Sequence, residues 1–264
     1  MQAGPTSGDG PGAAPSTGPG PEAGPQAATT RAERLRRMPI FREASPETLM
    51  RAAERSVWRD YAAGAMVLDL DDPSSDVWFV LDGAVRIQVR TPAGREVILS
   101  DIGAGGMFGE VAAIDGAPRT AGATALVRSR LCAVPAAAFL DAACSTPAAS
   151  LALLRTVTAI LRRQSKRLVE RETLPVRLRI YAELLRLSRP RLGSANPEER
   201  VVSPPPRRHI FAARIGARRE AVSRELADLT RRGAIAKERG AIVLRQPEIL
   251  RRAVEEELEA GAGL

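Results

Sequence analysis

The sequence predicts an α+β chain: a small β-roll of jelly-roll type, then a long amphipathic helix, then a winged helix-turn-helix. Three observations predict it. Between residues 65 and 134, short β-type runs follow one another, broken by Gly, Asp and Pro. Over 147–172, apolar residues recur at helical spacing with no internal breaker. After Pro175 come a helix, a Pro-rich charged loop, two short helical stretches about Gly216, and two short apolar runs joined near Arg239-Gly240. Short strands at close spacing with turn signals form small barrels or rolls. Helix, turn, helix and hairpin in that order make a winged helix-turn-helix.

Taken in order, the first 30 residues mix Pro, Gly, Ala and Ser and carry no basic n-region or apolar h-region. No secretory signal is expected there, and too little apolar surface is present to offset ordering entropy. Residues 1–35 are therefore expected to be a disordered tail. "PETLMRAAER" (46–55) reads as a short helix. "AMVLDL", "VWFVLDG", "AVRIQV", "REVILSDIG" and "SRLCAV" read as strands, with "TPAG" (91–94) as a hairpin turn. These place a β-roll domain at 36–145. The helix at 146–173 carries Leu154, Val157, Leu161, Gln164 and Leu168 in a 3-4-3-4 spacing, a seam suited to a second helix. Gln164 interrupts that seam, either fixing register and dimeric state or facing a bound polar ligand at a subunit boundary. The winged helix-turn-helix occupies 174–250, and 251–264 is expected to be a C-terminal tail.

Composition narrows the chemistry. At 264 residues the chain accommodates two domains beyond the tail, and no run of about eighteen apolar residues is present to span a bilayer. Cys132 and Cys144 are too few for a disulfide framework or a four-cysteine cluster and read as free thiols in a reducing cytoplasm. His209 is the one histidine, so neither a histidine-rich metal site nor a Ser-His-Asp set is expected, and no Walker loop appears. Nothing points to an enzyme or to a metal. The net charge is +8, and between Arg207 and Arg252 thirteen Arg/Lys stand against five Asp/Glu. That concentration suits a nucleic-acid-binding domain, although solvated charged faces are common.

Residues 108–121, "FGEVAAIDGAPRTA", set Glu110 and Arg119 nine positions apart with small residues between. Gly109, Ala112 and the adjoining Ala113 let backbone N–H groups approach an anion, and a short helix start adds a favourable dipole. Arg119 offers a fork matched to phosphate oxygens. Glu110 repels phosphate and suits a donor such as a ribose hydroxyl. A nucleotide satisfies both, while a surface Glu–Arg ion pair on a turn is the alternative that spacing alone leaves open.

The stretch resembles the phosphate-binding cassette of cyclic-nucleotide-binding domains. The resemblance runs upstream through "VWFVLDGAVRIQV" and "GREVILSDIGAGGMFGE", and downstream to the winged helix, roughly 36–245. The whole is similar to the bacterial cyclic-AMP receptor protein and fumarate–nitrate regulator superfamily (Crp/Fnr) of transcription regulators. By that resemblance Glu110 binds the ribose 2′-hydroxyl and Arg119 the cyclic phosphate, with Gly109, Val111, Ala112 and Ala121 around them. Thr120 adds a hydroxyl contact to phosphate or base, Ile87 and Leu99 line the base pocket, and Gln164 and Ser165 reach the base from the long helix. The family's usual first member of that last pair is a threonine. A threonine after the arginine is associated with cyclic GMP in such domains, so the implied effector is cAMP with cGMP as the alternative.

"GARREAVSRELADL" (216–229) resembles the family's turn and recognition helix. Val222, Leu226 and Leu229 share one face and should pack inward against Phe211 and Ile215. Arg218, Arg219, Glu220, Ser223 and Arg224 are left for a major groove. The resemblance puts Arg219, Glu220 and Arg224 at base-reading positions and implies palindromic double-stranded DNA with GTGA-type half-sites. It also implies a homodimer through 147–172 and RNA polymerase as a further partner, the 190–206 loop lying where relatives contact it. Two positions depart from the pattern: Arg207–His209 and Arg218 stand where helix-capping hydroxyls are usual. Rival readings are a ligand-independent DNA-binding member with a vestigial pocket, and a nucleotide-sensing module that does not bind DNA.

Overall fold

A computed structural model describes residues 25–92 and 94–261. The chain divides into two compact units, one of 25–89 with 100–154 and the other of 90–99 with 155–261, and each is described by itself.

The first unit opens with α1 (Pro25–Arg36), a single 3₁₀ turn at Pro39–Phe41, and α2 (Pro46–Arg55). Ser45 caps α2, accepting from the Thr48 N–H at 3.3 Å, with Pro46 at the first helical position. Such a cap contributes about 1 kcal/mol. The strands are β1 (Val57–Tyr61), β2 (Met66–Leu68), β3 (Val77–Asp82), β4 (Ala84–Arg90), β5 (Glu96–Gly103) and β6 (Met107–Phe108). Then follow α3 (Glu110–Asp115), β7 (Gly122–Ala125), β8 (Ser129–Val134) and α4 (Ala136–Ala143). Two four-stranded sheets result, ordered β1-β8-β3-β6 and β2-β7-β4-β5. β3 is central in the first sheet, and Val77, Trp78, Phe79 and Val80 are all buried, as a strand covered on both faces requires.

Two apolar clusters hold this unit. In one, Phe41, Phe79 and Phe139 bring the 3₁₀ turn, β3 and α4 together with ring centroids 5.1–6.3 Å apart. In the other, Trp78 stacks on Phe108 at 6.3 Å, within a sheet where the two residues pair directly. That stacking fixes where β6 ends and therefore where Gly109 begins.

The second unit contains the tip of the β4–β5 hairpin and most of α5 (Pro147–Thr173), followed by α6 (Val176–Leu187). After these come β9 (Arg189–Pro190), β10 (Arg200–Val202), α7 (Arg208–Ile215), α8 (Arg219–Arg231), β11 (Ile235–Glu238), β12 (Ala241–Leu244) and α9 (Pro247–Gly261). β11 and β12 pair antiparallel across a turn at Gly240, whose φ of 72° lies in the left-handed region. Their sheet continues through β10 to β9. Val222, Leu226 and Leu229 of α8 are buried with Phe211 and Ile215 of α7 in one core, as the sequence predicts.

The structure corrects both expected tails. Residues 25–35 of the 1–35 tail belong to α1, because Ala32 and Leu35 are buried on the core beside Phe41. The remainder of that tail, 1–24, lies outside the described residues. At the other end, 251–261 of the expected tail continue α9, where Leu250 and Val254 are buried in the second core. Part of the 190–206 loop is also ordered as β10, drawn into the sheet by pairing with β12.

Candidate functional site: a nucleotide cassette and a DNA-reading helix

Gly109 caps α3 with φ 81°, a conformation L-residues occupy at a cost of about 1–2 kcal/mol. A Cβ there would stand 2.6 Å from Arg119 Nη1 and 3.0 Å from the Asp76 carbonyl oxygen, so only glycine fits. Glu110 follows as the first residue of α3 and is buried, beside buried Ala112; Val111 on the same turn is exposed. The ten-residue return through Gly116 and Pro118 brings Arg119 back onto the start of that helix.

Arg119 is 3% exposed. Its Nη1 donates to the Gly109 carbonyl (2.9 Å) and its Nη2 to the Asp76 carbonyl (2.7 Å). Nε and Nη2 both donate to the Ser74 hydroxyl, at 3.2 and 3.1 Å. Its backbone is held as well: the Arg119 N–H donates to Asp72 O and the Asp71 N–H to Arg119 O, each at 3.1 Å. Burial lowers the guanidinium's affinity for its proton, and the carboxylates of Asp72, Asp76 and Glu110 oppose that. One arginine thus sits among three acidic side chains, with the loop 71–76 as its cradle. The sequence reading missed Ser74 and Asp76, which stand more than forty positions away; only the turn-rich "DLDDPSSD" hinted that this loop is shaped for a purpose.

The remaining predicted residues fall in two groups. In the first unit, Ile87 is a half-buried β4 residue against the Trp78–Phe108 cluster, Thr120 is exposed and Ala121 half-buried. In the second unit, Leu99, Gln164 and Ser165 line one cavity of about 410 Å³, whose walls also carry Ile98, Leu161 and Arg167. The resemblance sets Ile87, Leu99, Gln164 and Ser165 about a base; of these, Leu99, Gln164 and Ser165 share this cavity and Ile87 does not line it.

The second candidate surface is the α7–α8 motif. Gly216 ends α7 at φ 65°, and the Ala217 N–H closes the turn on Ala212 O at 3.0 Å. Arg218, Arg219, Glu220 and Arg224 are exposed and Ser223 is half-buried at the start of α8. Arg219 Nε donates to Glu220 at 2.8 Å, and that bond lowers the proton affinity of the Glu220 carboxylate. Neither α7 nor α8 receives a side-chain cap; Arg207 and Arg218 occupy the two cap positions. On the inner side, Tyr181 of α6 donates to Glu225 at 2.8 Å and fixes the unexposed face of α8.

A glycine-dependent cassette on a β-roll and a winged helix-turn-helix with a basic outer face define a two-domain regulator of transcription. Residues 58–144 match the family model of the cyclic nucleotide-binding domain, and 178–253 that of the Crp-like helix-turn-helix domain. The chain is 30% identical over 220 residues to the CRP-like cAMP-activated global transcriptional regulator of Mycobacterium tuberculosis, covering 83% of this chain and 98% of that one. It is 28% identical to the cyclic AMP receptor protein of Thermus thermophilus, over 80% of this chain and 94% of that protein. Among solved structures, FixK2 from Bradyrhizobium japonicum shares the fold with a TM-score of 0.64 at 23% identity, over 75% of this chain and 96% of that one. The chain belongs to the Crp/Fnr family of transcription regulators. The Mycobacterium tuberculosis relative, matched along nearly its whole length, is a transcriptional regulator.

Proposed function

We propose that this chain is a homodimeric, sequence-specific DNA-binding regulator gated by cAMP and working in the cytoplasm, where its DNA is. The observation that carries the reading is the convergence of Gly109, Glu110 and Arg119 at the start of α3. The donor set fits a cyclic nucleotide: a forked cation for the phosphate, a carboxylate for the ribose hydroxyl, and a glycine where a Cβ would fill the cradle. Val111, Ala112 and Ala121 shape the floor, Thr120 supplies a hydroxyl to phosphate or base, and Ile87 with Leu99 lies against the base. Gln164 and Ser165 meet the base edge. One relative described as cAMP-activated and another named a cyclic AMP receptor protein favour cAMP, and Thr120 keeps cGMP as the alternative effector.

On the DNA side, Arg219, Glu220 and Arg224 read bases of palindromic GTGA-type half-sites, with Arg218 and Ser223 on flanking positions. A twofold dimer through α5 spaces the half-sites about one helical turn apart. RNA polymerase is the further partner this reading implies. One observation favours a second reading, a ligand-independent regulator with a vestigial pocket. Arg119 already commits its donors to Gly109, Ser74 and Asp76, so a phosphate has to displace partners that are in place.

Calorimetric titration of nucleotide-stripped protein with cAMP and, separately, cGMP decides between them. Micromolar or tighter binding of one nucleotide, weakened at least about 100-fold in Arg119→Ala, is expected, since charge-assisted hydrogen bonds are worth about 1.5–3 kcal/mol each. Arg119→Lys keeps the charge but loses the fork, so it should weaken binding even where the chain remains as stable as the parent. No heat with either nucleotide overturns the gated reading in favour of the ligand-independent one.

A further inference from the structure

The second unit contains a buried ionic cluster that none of the roles above uses. Glu183 of α6 is fully buried. Its carboxylate accepts from Arg186 of the same helix and from Arg214 Nη1 of α7 at 3.2 Å, and Arg167 Nη2 of α5 stands 3.9 Å away. Arg186 also pairs with Glu170 of α5. Three guanidiniums therefore share two carboxylates, and the buried cluster carries a surplus positive charge. A buried carboxylate strongly resists losing a partner, because nothing else there can replace it.

The members are not held equally. Arg214 is 5% exposed in its side chain and at hydrogen-bond distance from Glu183, whereas Arg167 is 22% exposed and at the long edge of an ion pair. Burial lowers the proton affinity of Arg167; Glu183 opposes this, while Arg186 and Arg214 add to it. Its other contact lies outside the cluster: Arg167 Nη1 donates to the carbonyl of Leu99. Arg167 follows Gln164 and Ser165 by less than one helical turn and forms part of the same cavity wall. Arg214 and Ile215 of α7 line the same cavity, where a base is proposed to sit, and Arg167 is the loosely held side chain that reaches from the Leu99 carbonyl toward the carboxylate anchoring Arg214.

We infer that Arg167 is the positioning residue that passes occupancy of the Leu99–Gln164–Ser165 cavity to α7, by changing its share of Glu183 with Arg214. The inference rests on the proposed gating and deepens it. Any shift of the Leu99 strand or of the Gln164–Ser165 turn moves Arg167, and Glu183 then redistributes between two arrangements of its arginines. α7 follows because Arg214 is anchored on that carboxylate. Arg171, whose guanidinium packs against Gly216 just past α7, is placed to feel the same shift.

The test is hydrogen–deuterium exchange over 208–231 in the full-length chain, without nucleotide and at saturating cAMP or cGMP, saturation being set for each variant by calorimetry. In the wild type, nucleotide is expected to change exchange across α7 and α8; in Arg167→Met most of that change should vanish at saturation, and in Arg167→Lys part of it should return. Persistence of the full change in Arg167→Met overturns the inference. A wild type that binds neither nucleotide sinks the gating reading instead. The ligand-free comparison then decides this one: exchange in 208–215 should rise at least about fivefold in Arg167→Met if Glu183 loses a working partner, and unchanged exchange overturns the link. Should Arg167→Met fail to fold, Arg167→Gln carries the same comparison, since it keeps a polar side chain and loses both the charge and the fork that spans Leu99 and Glu183.

Discussion

At the residue scale the cassette turns on Gly109. Its φ of 81° is one obstacle to any side chain, and the 2.6 Å that would separate an added Cβ from Arg119 Nη1 is another. The first costs about 1–2 kcal/mol. The second pushes Arg119 off the Gly109 carbonyl, and with it the fork proposed to hold the phosphate. Gly109→Ala should therefore do two things together. It should lower the melting temperature by about 5 °C or more, and it should abolish measurable nucleotide binding. Thermal denaturation followed by circular dichroism reads the first and calorimetry the second; an alanine variant that melts with the wild type would show that the turn is looser than its geometry. Asp76 and Ser74 carry a related lesson. Glu110 and Arg119 are legible in the sequence because they are nine apart and framed by small residues. The acceptors that hold Arg119 come from a loop more than forty positions upstream, and no local pattern announces a contact made only by folding.

At the element scale, what was legible is what local periodicity and turn chemistry dictate. The strands from β2 to β5, the recognition helix α8 and the wing all carry their own signals: alternation, an amphipathic face, a glycine at a positive φ. α1, α9 and β10 do not. Pro25, Ala and Thr disguise α1, whose two buried residues become meaningful only against Phe41. α9 runs into the acidic "EEELEA", which reads as a solvated end until Leu250 and Val254 meet α6 and the second core. β10 exists because β12 offers it an edge. At the caps, too, local signals and the fold conflict. α2 has its Ser45; α7 and α8 have arginines where hydroxyls would satisfy the first N–H groups. On the proposed reading these helix starts face DNA, where an arginine contributes a phosphate contact in place of a cap. Arg218→Ser tests that trade. It should stabilise the chain by about 1 kcal/mol through a new cap, seen in denaturant unfolding. It should also weaken DNA binding at low salt and reduce the log–log salt slope by about 1, seen in anisotropy titrations. A serine variant that binds DNA with an unchanged salt slope would remove Arg218 from the interface.

At the scale of the whole molecule, the question is what the exposed seam of α5 is for. Leu154, Leu161 and Leu168 are 63%, 64% and 60% exposed, and Val157 is 37% exposed, in the spacing that coiled-coil pairing requires. Leaving four such side chains in water on one helix is costly, at about 25 cal/mol for each Å² of apolar surface, and a second copy of the same helix covers them all at once. In the proposed twofold pair, two recognition helices would meet two half-sites, and linkage of this kind multiplies the affinity of each. The net charge of +8, concentrated between Arg207 and Arg252, then makes DNA binding steeply salt-dependent. Leu161→Glu places a charge in the centre of the seam, opposite its own copy, and should convert the dimer to monomer in sedimentation experiments at micromolar protein. Leu161 also lines the cavity beside Leu99 and Gln164, so Leu154→Glu, on the same seam and outside that cavity, is the variant in which calorimetric nucleotide binding by the Gly109–Arg119 cassette should stay detectable. Affinity for a two-half-site operator should fall at least about 100-fold, while affinity for a single half-site changes little. Arg162→Glu, exposed but off the seam, serves as the comparison and should remain dimeric. If Leu161→Glu sediments as a dimer and keeps its operator affinity, the chain pairs through some other surface and the seam has another occupant.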